Sequence, residues 1–251
     1  AMRAFVTGSA GFLGGHPCRS LRDTCEVVVG LVRDHVCNRD DDLHRKANVI
    51  VHGDVLSLPL LERIIAEYEI DTVFHLAAQT QVGVAASEPI NSCETNIQGT
   101  WNLLEACRRQ RTSKIIIASS DKVYGRGPLP YTEDQALIPY GIYSATKIAA
   151  DVLADSFRHE YGMNIAIARC GNLYGPGHLN FSTLIPDALR CGITDRILTL
   201  RSNGTKRRDF LFVGDAVSAY QLLALNDAQG PFNFGTELPL SVFDVIEHIK
   251  K

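Results

Sequence analysis

No apolar run in this chain of 251 residues approaches the roughly 20 residues that a membrane-spanning helix needs. The sequence therefore predicts no bilayer span and no membrane partner. Its start shows no signal-peptide pattern; "RAFVTG" reads as a strand instead. Charge of one sign is not in excess. A net charge of −3 and a pI near 6.3 exclude a bulk pull toward nucleic acid. Paired cysteine spacing is also missing. The cysteines at 18, 25, 37, 93, 107, 170 and 191 are odd in number and form no C-x-x-C. That pattern predicts reduced, mostly buried thiols in a cytoplasmic protein. The histidines show no H-E-x-x-H, so no metal site is predicted. Internal repeats and low-complexity linkers are absent. The sequons at Asn180 and Asn203 read as chance matches, and the charged stretch "RDDDLHRK" (39–46) as a solvated loop.

What is there is an alternation of short β-branched runs with helical patterns. Strands are predicted at "RAFVTG", "CEVVVGLV", "NVIVHGD", "DTVFHLAA", "KIIIASS" and "NIAIARCGN". Helices are predicted after the glycine-rich "GSAGFLG" and over "LLERIIAEY", "CETNIQGTWNLLEACRRQ" and "YSATKIAADVLADSFRHEYG". Continuously apolar strands alternating with helices predict an α/β fold, a doubly wound parallel sheet covered on both faces. After Asn172 the texture changes to loop formers, then a short helix at "STLIPDALRCG". "ILTLRSNGTKRRDFLFVGDAV" reads as a hairpin leading into the helix "DAVSAYQLLAL", and "PFNFGT" as a returning strand. The predicted division is a Rossmann-type dinucleotide-binding domain over 1–171, with 230–236 returning to it, and a small substrate lobe over 172–251.

The glycines Gly8, Gly11 and Gly14 follow the first strand and open a helix. Glycine lets a backbone turn tightly and approach a pyrophosphate, and the helix N-terminus supplies N–H donors there. In this context the triplet is a strong dinucleotide signal. Pro17 inside the first helix removes an internal hydrogen bond and predicts a kink. At the end of the second strand stand Arg33, suited to a 2′-phosphate, and Asp34, suited to a free ribose hydroxyl, so NAD and NADP both remain open. Asp54 either reaches the adenine edge or merely closes a turn.

Two further patterns bear on chemistry. Tyr143 and Lys147 lie four apart and so share one helix face. An ammonium beside a phenol favours the phenolate, which predicts a base nearer neutral pH. "SSDKVYG" places Asp121 beside Lys122 at the end of the fifth strand, either a solvated turn or a proton-transfer pair.

Together, G-x-x-G-x-x-G, "HLAAQ", S-S-x-x-V-Y-G, Y-x-x-x-K, "RCGNLYGPG" and "RRDFLFVGDAV" resemble the extended short-chain dehydrogenase/reductase family. This family includes the nucleotide-sugar epimerases and dehydratases. The resemblance implies a Rossmann domain with a small C-terminal sugar-nucleotide lobe. Here the chain closes on "SVFDVIEHIKK" sooner than its relatives, so that lobe reads as short. In the implied site Tyr143 is the base on the carbon-4 hydroxyl, Lys147 holds the nicotinamide ribose, and Ser120 bonds the same hydroxyl. Gly8, Gly11, Phe12, Leu13, Gly14, Arg33, Asp34, Asp54, Val55, Leu76, Ala77 and Ala78 would line the cofactor, and Gln79, Asn172 and Arg208 the substrate. The Asp-Lys pair is similar to that of cytidine-diphosphate-glucose 4,6-dehydratases. It implies Asp121 as the acid on the carbon-6 hydroxyl and Lys122 as the base at carbon 5, provided that desolvation and neighbouring charge lower its proton affinity. The expected activity is an NAD(P)-dependent nucleotide-sugar 4,6-dehydratase. The alternatives are a 4-epimerase, which leaves Asp121 and Lys122 idle, and a cofactor-binding protein without catalysis. The resemblance also implies a homodimer built on "CETNIQGTWNLLEACRRQ" and "YSATKIAADVLADSF".

Overall fold

The computed structural model describes residues 1–34 and 47–250. The predicted solvated loop 39–46 and Cys37 lie outside the described residues. Seven parallel strands form one sheet in the order β10-β6-β5-β4-β1-β2-β3. They are β1 (Arg3–Thr7), β2 (Val27–Val32), β3 (Val49–His52), β4 (Thr72–His75), β5 (Lys114–Ser120), β6 (Ile165–Cys170) and β10 (Gly230–Phe234). The order runs outward from β1 in both directions, which leaves a crevice at the carboxyl ends of β1 and β4, where ligands bind in such sheets.

Alternate side chains of each strand feed two cores, because successive strand residues point to opposite faces. Phe5, Ile115 and Ile117 pack with Ile64, Leu103 and Leu104. These last come from helices α2 (Leu58–Glu67) and α5 (Gly99–Arg109), beside α6 (Ile142–Tyr161). Ala4, Val6 and Ile116 pack on the other face with Cys18, Ala216, Tyr220 and Leu223. Those belong to α1 (Phe12–Leu21) and α8 (Val213–Leu225). Both faces are apolar and covered, which explains why the strands read as continuous runs.

The elements between are short. Helices α3 (Val82–Ser87) and α4 (Pro89–Cys93) lead through a π turn (Glu94–Gln98) into α5. A 3₁₀ turn (Asp121–Tyr124) follows β5. Beyond β6 come β7 (Asn172–Tyr174), α7 (Leu184–Ile193), β8 (Arg207–Arg208), β9 (Phe210–Phe212), β11 (Leu240–Ser241) and α9 (Val242–Ile249).

The predicted hairpin over 197–217 is not formed. β8 pairs with β11, antiparallel, and β9 pairs with β7, in parallel. Each short strand finds a partner distant in sequence, and Asp209, between them, is held by a third segment. Its carboxylate accepts the amides of Thr236 at 2.9 Å and Glu237 at 3.2 Å. Pro17 stands inside the first helix, as expected. α1 runs through it as one element with Pro17 buried, and only the Leu13 carbonyl loses its usual donor. The returning strand forms as expected: β10 pairs with β6 in parallel. Among the described residues no helix is long and apolar enough to cross a membrane.

Candidate active site

A cavity of about 760 Å³ runs along the carboxyl ends of β1, β2, β4, β5 and β6. At one end it is walled by the turn between β1 and α1. Gly8 takes φ +69, and a Cβ there would stand 2.8 Å from the backbone of Ala77. At Gly14 a Cβ would lie 2.0 Å from the Gly8 carbonyl oxygen. Only glycine lets these three segments close together. The N-cap, Gly11, offers no side-chain acceptor to the first turn of α1. The N–H donors of that turn therefore remain for an anion in the cavity.

The far side of this cradle rests on a buried histidine. Thr100 donates its hydroxyl to the Asn96 carbonyl at 2.8 Å, so His75 Nε2–H donates to Thr100 Oγ1 at 2.9 Å. Thr7 then donates to His75 Nδ1 at 2.8 Å and accepts the amides of Leu76 and Ala77, each at 3.1 Å. Burial, with the Lys147 charge, pulls His75 down to about 3. It is a neutral strut that fixes the Leu76–Ala77 backbone against Gly8, and it explains why β4 stops at His75, short of the predicted strand end.

All the sequence-predicted cofactor and substrate residues line the cavity: Gly8, Gly11, Phe12, Leu13, Gly14, Arg33, Asp34, Asp54, Val55, Leu76, Ala77, Ala78, Gln79, Asn172 and Arg208. Arg33 and Asp34 hold each other, Nε to Oδ2 at 2.7 Å, with both side chains exposed. Asp54 closes a turn, accepting the Leu56 amide at 3.0 Å, and also faces the cavity. Gln79 is pinned through its backbone by Asn96, at 2.7 and 3.1 Å, from the π turn. These walls fit a dinucleotide: a glycine cradle at a helix N-terminus for the pyrophosphate, and an acid–arginine pair at the second strand.

Ser120, Lys122, Tyr143 and Lys147 line the same cavity, and Asp121, between Ser120 and Lys122, pairs with Lys122. Lys147 is buried and donates to the Ala118 carbonyl at 2.6 Å. Desolvation pulls it down to about 8, against the raising influence of Asp151. Burial and the Asp121 carboxylate push the Tyr143 phenol up to about 12, opposed by a hydrogen bond with Ser120. This corrects the expectation of a phenol near neutrality: in the protein alone, desolvation dominates. Asp121 and Lys122 form an ion pair at 2.7 Å, and Lys122 also donates to Asn172 Oδ1 at 3.3 Å. The Lys122 side chain is 36% exposed. Arg208 is exposed and donates to the Arg207 carbonyl at 2.9 Å.

Several residues of the site went unread in the sequence. Asp151 and Arg169 form a buried pair beneath β5, Nη2 to Oδ1 at 2.7 Å, with side chains 1% and 5% exposed. A lone arginine in the apolar run "IAIARC" was the available signal, since a charge in a buried strand requires a partner. Asp151 also repeats the four-residue step from Tyr143 through Lys147.

Comparison with known proteins is consistent with this geometry. The family described as NAD dependent epimerase/dehydratase matches residues 4–235. A dTDP-D-glucose 4,6-dehydratase of Dictyostelium discoideum is 30% identical over 98% of this chain and 61% of its own length. The dTDP-glucose 4,6-dehydratase 1 of Escherichia coli K12 is 30% identical over 99% of this chain and 78% of its own. The chain thus spans between about three fifths and four fifths of these two relatives. Among solved structures, a UDP-glucose 4-epimerase of Thermotoga maritima with UDP-glucose superposes with TM-score 0.92 at 26% identity, covering 99% of this chain and 82% of that one. The dTDP-glucose 4,6-dehydratase DesIV of Streptomyces venezuelae, holding NAD, gives 0.91 at 27% identity, covering 99% and 80%.

Proposed function

This chain belongs to the NAD-dependent epimerase/dehydratase family, and from that premise we propose that it is a nucleotide-sugar 4,6-dehydratase acting in the cavity at the strand ends. The observation that carries this reading is the Asp121–Lys122 pair at 2.7 Å, immediately after Ser120 and near Tyr143. An epimerase needs no such acid and base, whereas a dehydratase must remove one proton and protonate a leaving hydroxyl.

When bound, NAD would supply the hydride acceptor and donor, and its positive charge would favour the Tyr143 phenolate. Ser120 and Tyr143 hold the carbon-4 hydroxyl, and Tyr143 takes its proton as carbon 4 becomes a ketone. The ketone acidifies the carbon-5 hydrogen. With the proton of the pair moved from Lys122 to Asp121, the neutral Lys122 amine removes the carbon-5 proton while the Asp121 carboxyl protonates the carbon-6 hydroxyl, which leaves as water. The hydride taken from carbon 4 would return to carbon 6, and the proton held by Lys122 would pass to carbon 5, so the product is a 4-keto-6-deoxy sugar with no net oxidation. Arg208 and Asn172 are read as contacts to the nucleotide diphosphate, where a planar guanidinium suits phosphate. Residues 172–251 would supply most of this substrate side.

The second reading, a 4-epimerase, is favoured by the likeness to the Thermotoga maritima structure. Incubation with NAD and dTDP-, UDP- or CDP-glucose, followed by mass spectrometry, separates the two. A product lighter by one water supports the dehydratase; interconverted sugars of unchanged mass support the epimerase. Binding of NAD without turnover would leave a cofactor-binding protein. We also read the chain as a cytoplasmic homodimer. The six described cysteines are free thiols, and Trp101 of α5 and Val152 of α6 remain 45% and 49% exposed on the helices implied for the contact. Light scattering in solution tests the dimer.

A further inference from the structure

Tyr143, Lys147 and Asp151 descend one face of α6 in successive four-residue steps. The first two line the cavity; the third does not. Asp151 is instead the most enclosed charge described in the site, at 1% exposure. Its Oδ2 accepts the Ser119 hydroxyl at 2.6 Å and Arg169 Nε at 2.9 Å, and its Oδ1 accepts Arg169 Nη2 at 2.7 Å. Ser119 lies between Ala118, whose carbonyl receives Lys147, and Ser120. Two successive residues of β5 are thus gripped by two successive turns of α6. Arg169 extends the grip. Its Nη1 donates to Tyr124 Oη at 2.9 Å and to the Glu133 carbonyl at 3.0 Å, and Tyr124 closes the turn that carries Asp121 and Lys122.

We propose that Asp151, clamped by Arg169, is a positioning residue that acts on the reaction through Lys147, as its counter-charge and as the joint locking α6 to the strand end that bears Ser120. This rests on the dehydratase reading only for its catalytic consequence; the electrostatic part rests on the four-residue step that sets Asp151 beside Lys147 on α6 and on the direction in which its charge moves Lys147. The titratable and charged groups around Lys147 are Tyr143 and Asp151 on α6, Asp121 after β5, Cys170 and Arg169 on β6, His75 on β4 and Tyr220 on α8. His75 is neutral. Asp151 is the largest influence opposing the desolvation of Lys147. Without its charge Lys147 would shed its proton at lower pH.

The test uses the full chain with lysines carrying ¹³C at the ε position, followed by NMR from neutral to alkaline pH. The Lys147 signal is assigned by its loss in Lys147→Arg. The wild-type midpoint is expected near about 8. Asp151→Asn should lower it by roughly one pH unit, and Asp151→Glu should restore it even if the melting temperature falls. Because Asp151→Asn leaves a buried guanidinium unpaired, Asp151→Asn with Arg169→Gln, read against Arg169→Gln alone, carries the same test if the single variant does not fold. An unchanged midpoint in a folded neutral variant would overturn the proposal, leaving Asp151 as structural cement. Turnover of dTDP-glucose is read in parallel. Its alkaline limb should move with the midpoint in Asp151→Asn. If the wild type turns over no nucleotide sugar, the dehydratase reading fails while the titration still decides the role of Asp151.

Discussion

Two acid–base pairs sit beside one cavity, and they are built in opposite ways. Tyr143 and Lys147 ride a helix of 20 residues, with Lys147 buried and tied to the Ala118 carbonyl. Asp121 and Lys122 occupy a 3₁₀ turn of four residues, 23% and 36% exposed, each serving as the other's partner. The helical pair is preset by packing before any ligand arrives. The turn pair is neutralised by itself and must be parted by a substrate. This difference suits their proposed tasks: oxidation at carbon 4 opens the reaction, and elimination follows only once a ketone is in place.

The comparison breaks most sharply at Tyr143. Tyr143→Phe should cut turnover about a hundredfold or more, the scale of removing a positioned acid–base group, with NAD affinity measured by calorimetry nearly intact. Lys122→Met should also remove product formation, but by a different route. Stopped-flow absorbance should still register transient cofactor reduction, because oxidation at carbon 4 draws only on Ser120, Tyr143 and Lys147. Normal release of dehydrated product from Lys122→Met would reduce Lys122 to a turn residue.

Gly14→Ala tests the cradle rather than either pair. Its Cβ would overlap the Gly8 carbonyl at 2.0 Å, and backbone cannot yield as a side-chain tip can. NAD binding should weaken at least about tenfold, a loss of roughly 1.4 kcal/mol.

The buried pair also predicts a dependence of stability on pH. Lys147 lies below its ordinary value of 10.5, at about 8. Its burial therefore costs stability at neutral pH, and that cost fades as pH rises from about 8 toward 10.5. In thermal melts the wild type should gain a few degrees on Lys147→Met across this window. A constant difference would mean that Lys147 titrates normally. The smallest effect belongs to Arg33→Ala. With Arg33 engaged by Asp34, NAD affinity should change by no more than about threefold, below 1 kcal/mol.

What the sequence made legible was whatever is encoded by spacing. The glycine triplet, the four-residue step of Tyr143 and Lys147, and the continuous strands follow from local geometry, and each reappears, with β4 ending earlier than predicted. Pairings of two or three residues did not read out. β8 with β11 and β7 with β9 join segments dozens of residues apart, and runs so short carry no periodic signal. Nor did proton affinities. The phenol of Tyr143 answers to burial and to Asp121 from a separate element, a sum that neighbours in sequence cannot reveal. Asp151 and Arg169 were half legible: their charges stood out against apolar surroundings, but their partnership crosses from α6 to β6.

The central claim is that Asp121 and Lys122 carry an elimination opened by Tyr143 and Lys147. Isotope tracing tests it most directly, with NAD and dTDP-glucose deuterated at carbon 4, and in parallel with unlabelled sugar in deuterated water. The account predicts a dehydrated product with the carbon-4 deuterium at carbon 6, and solvent deuterium at carbon 5. Label returned to carbon 4, with carbon 5 untouched and no water lost, would contradict it.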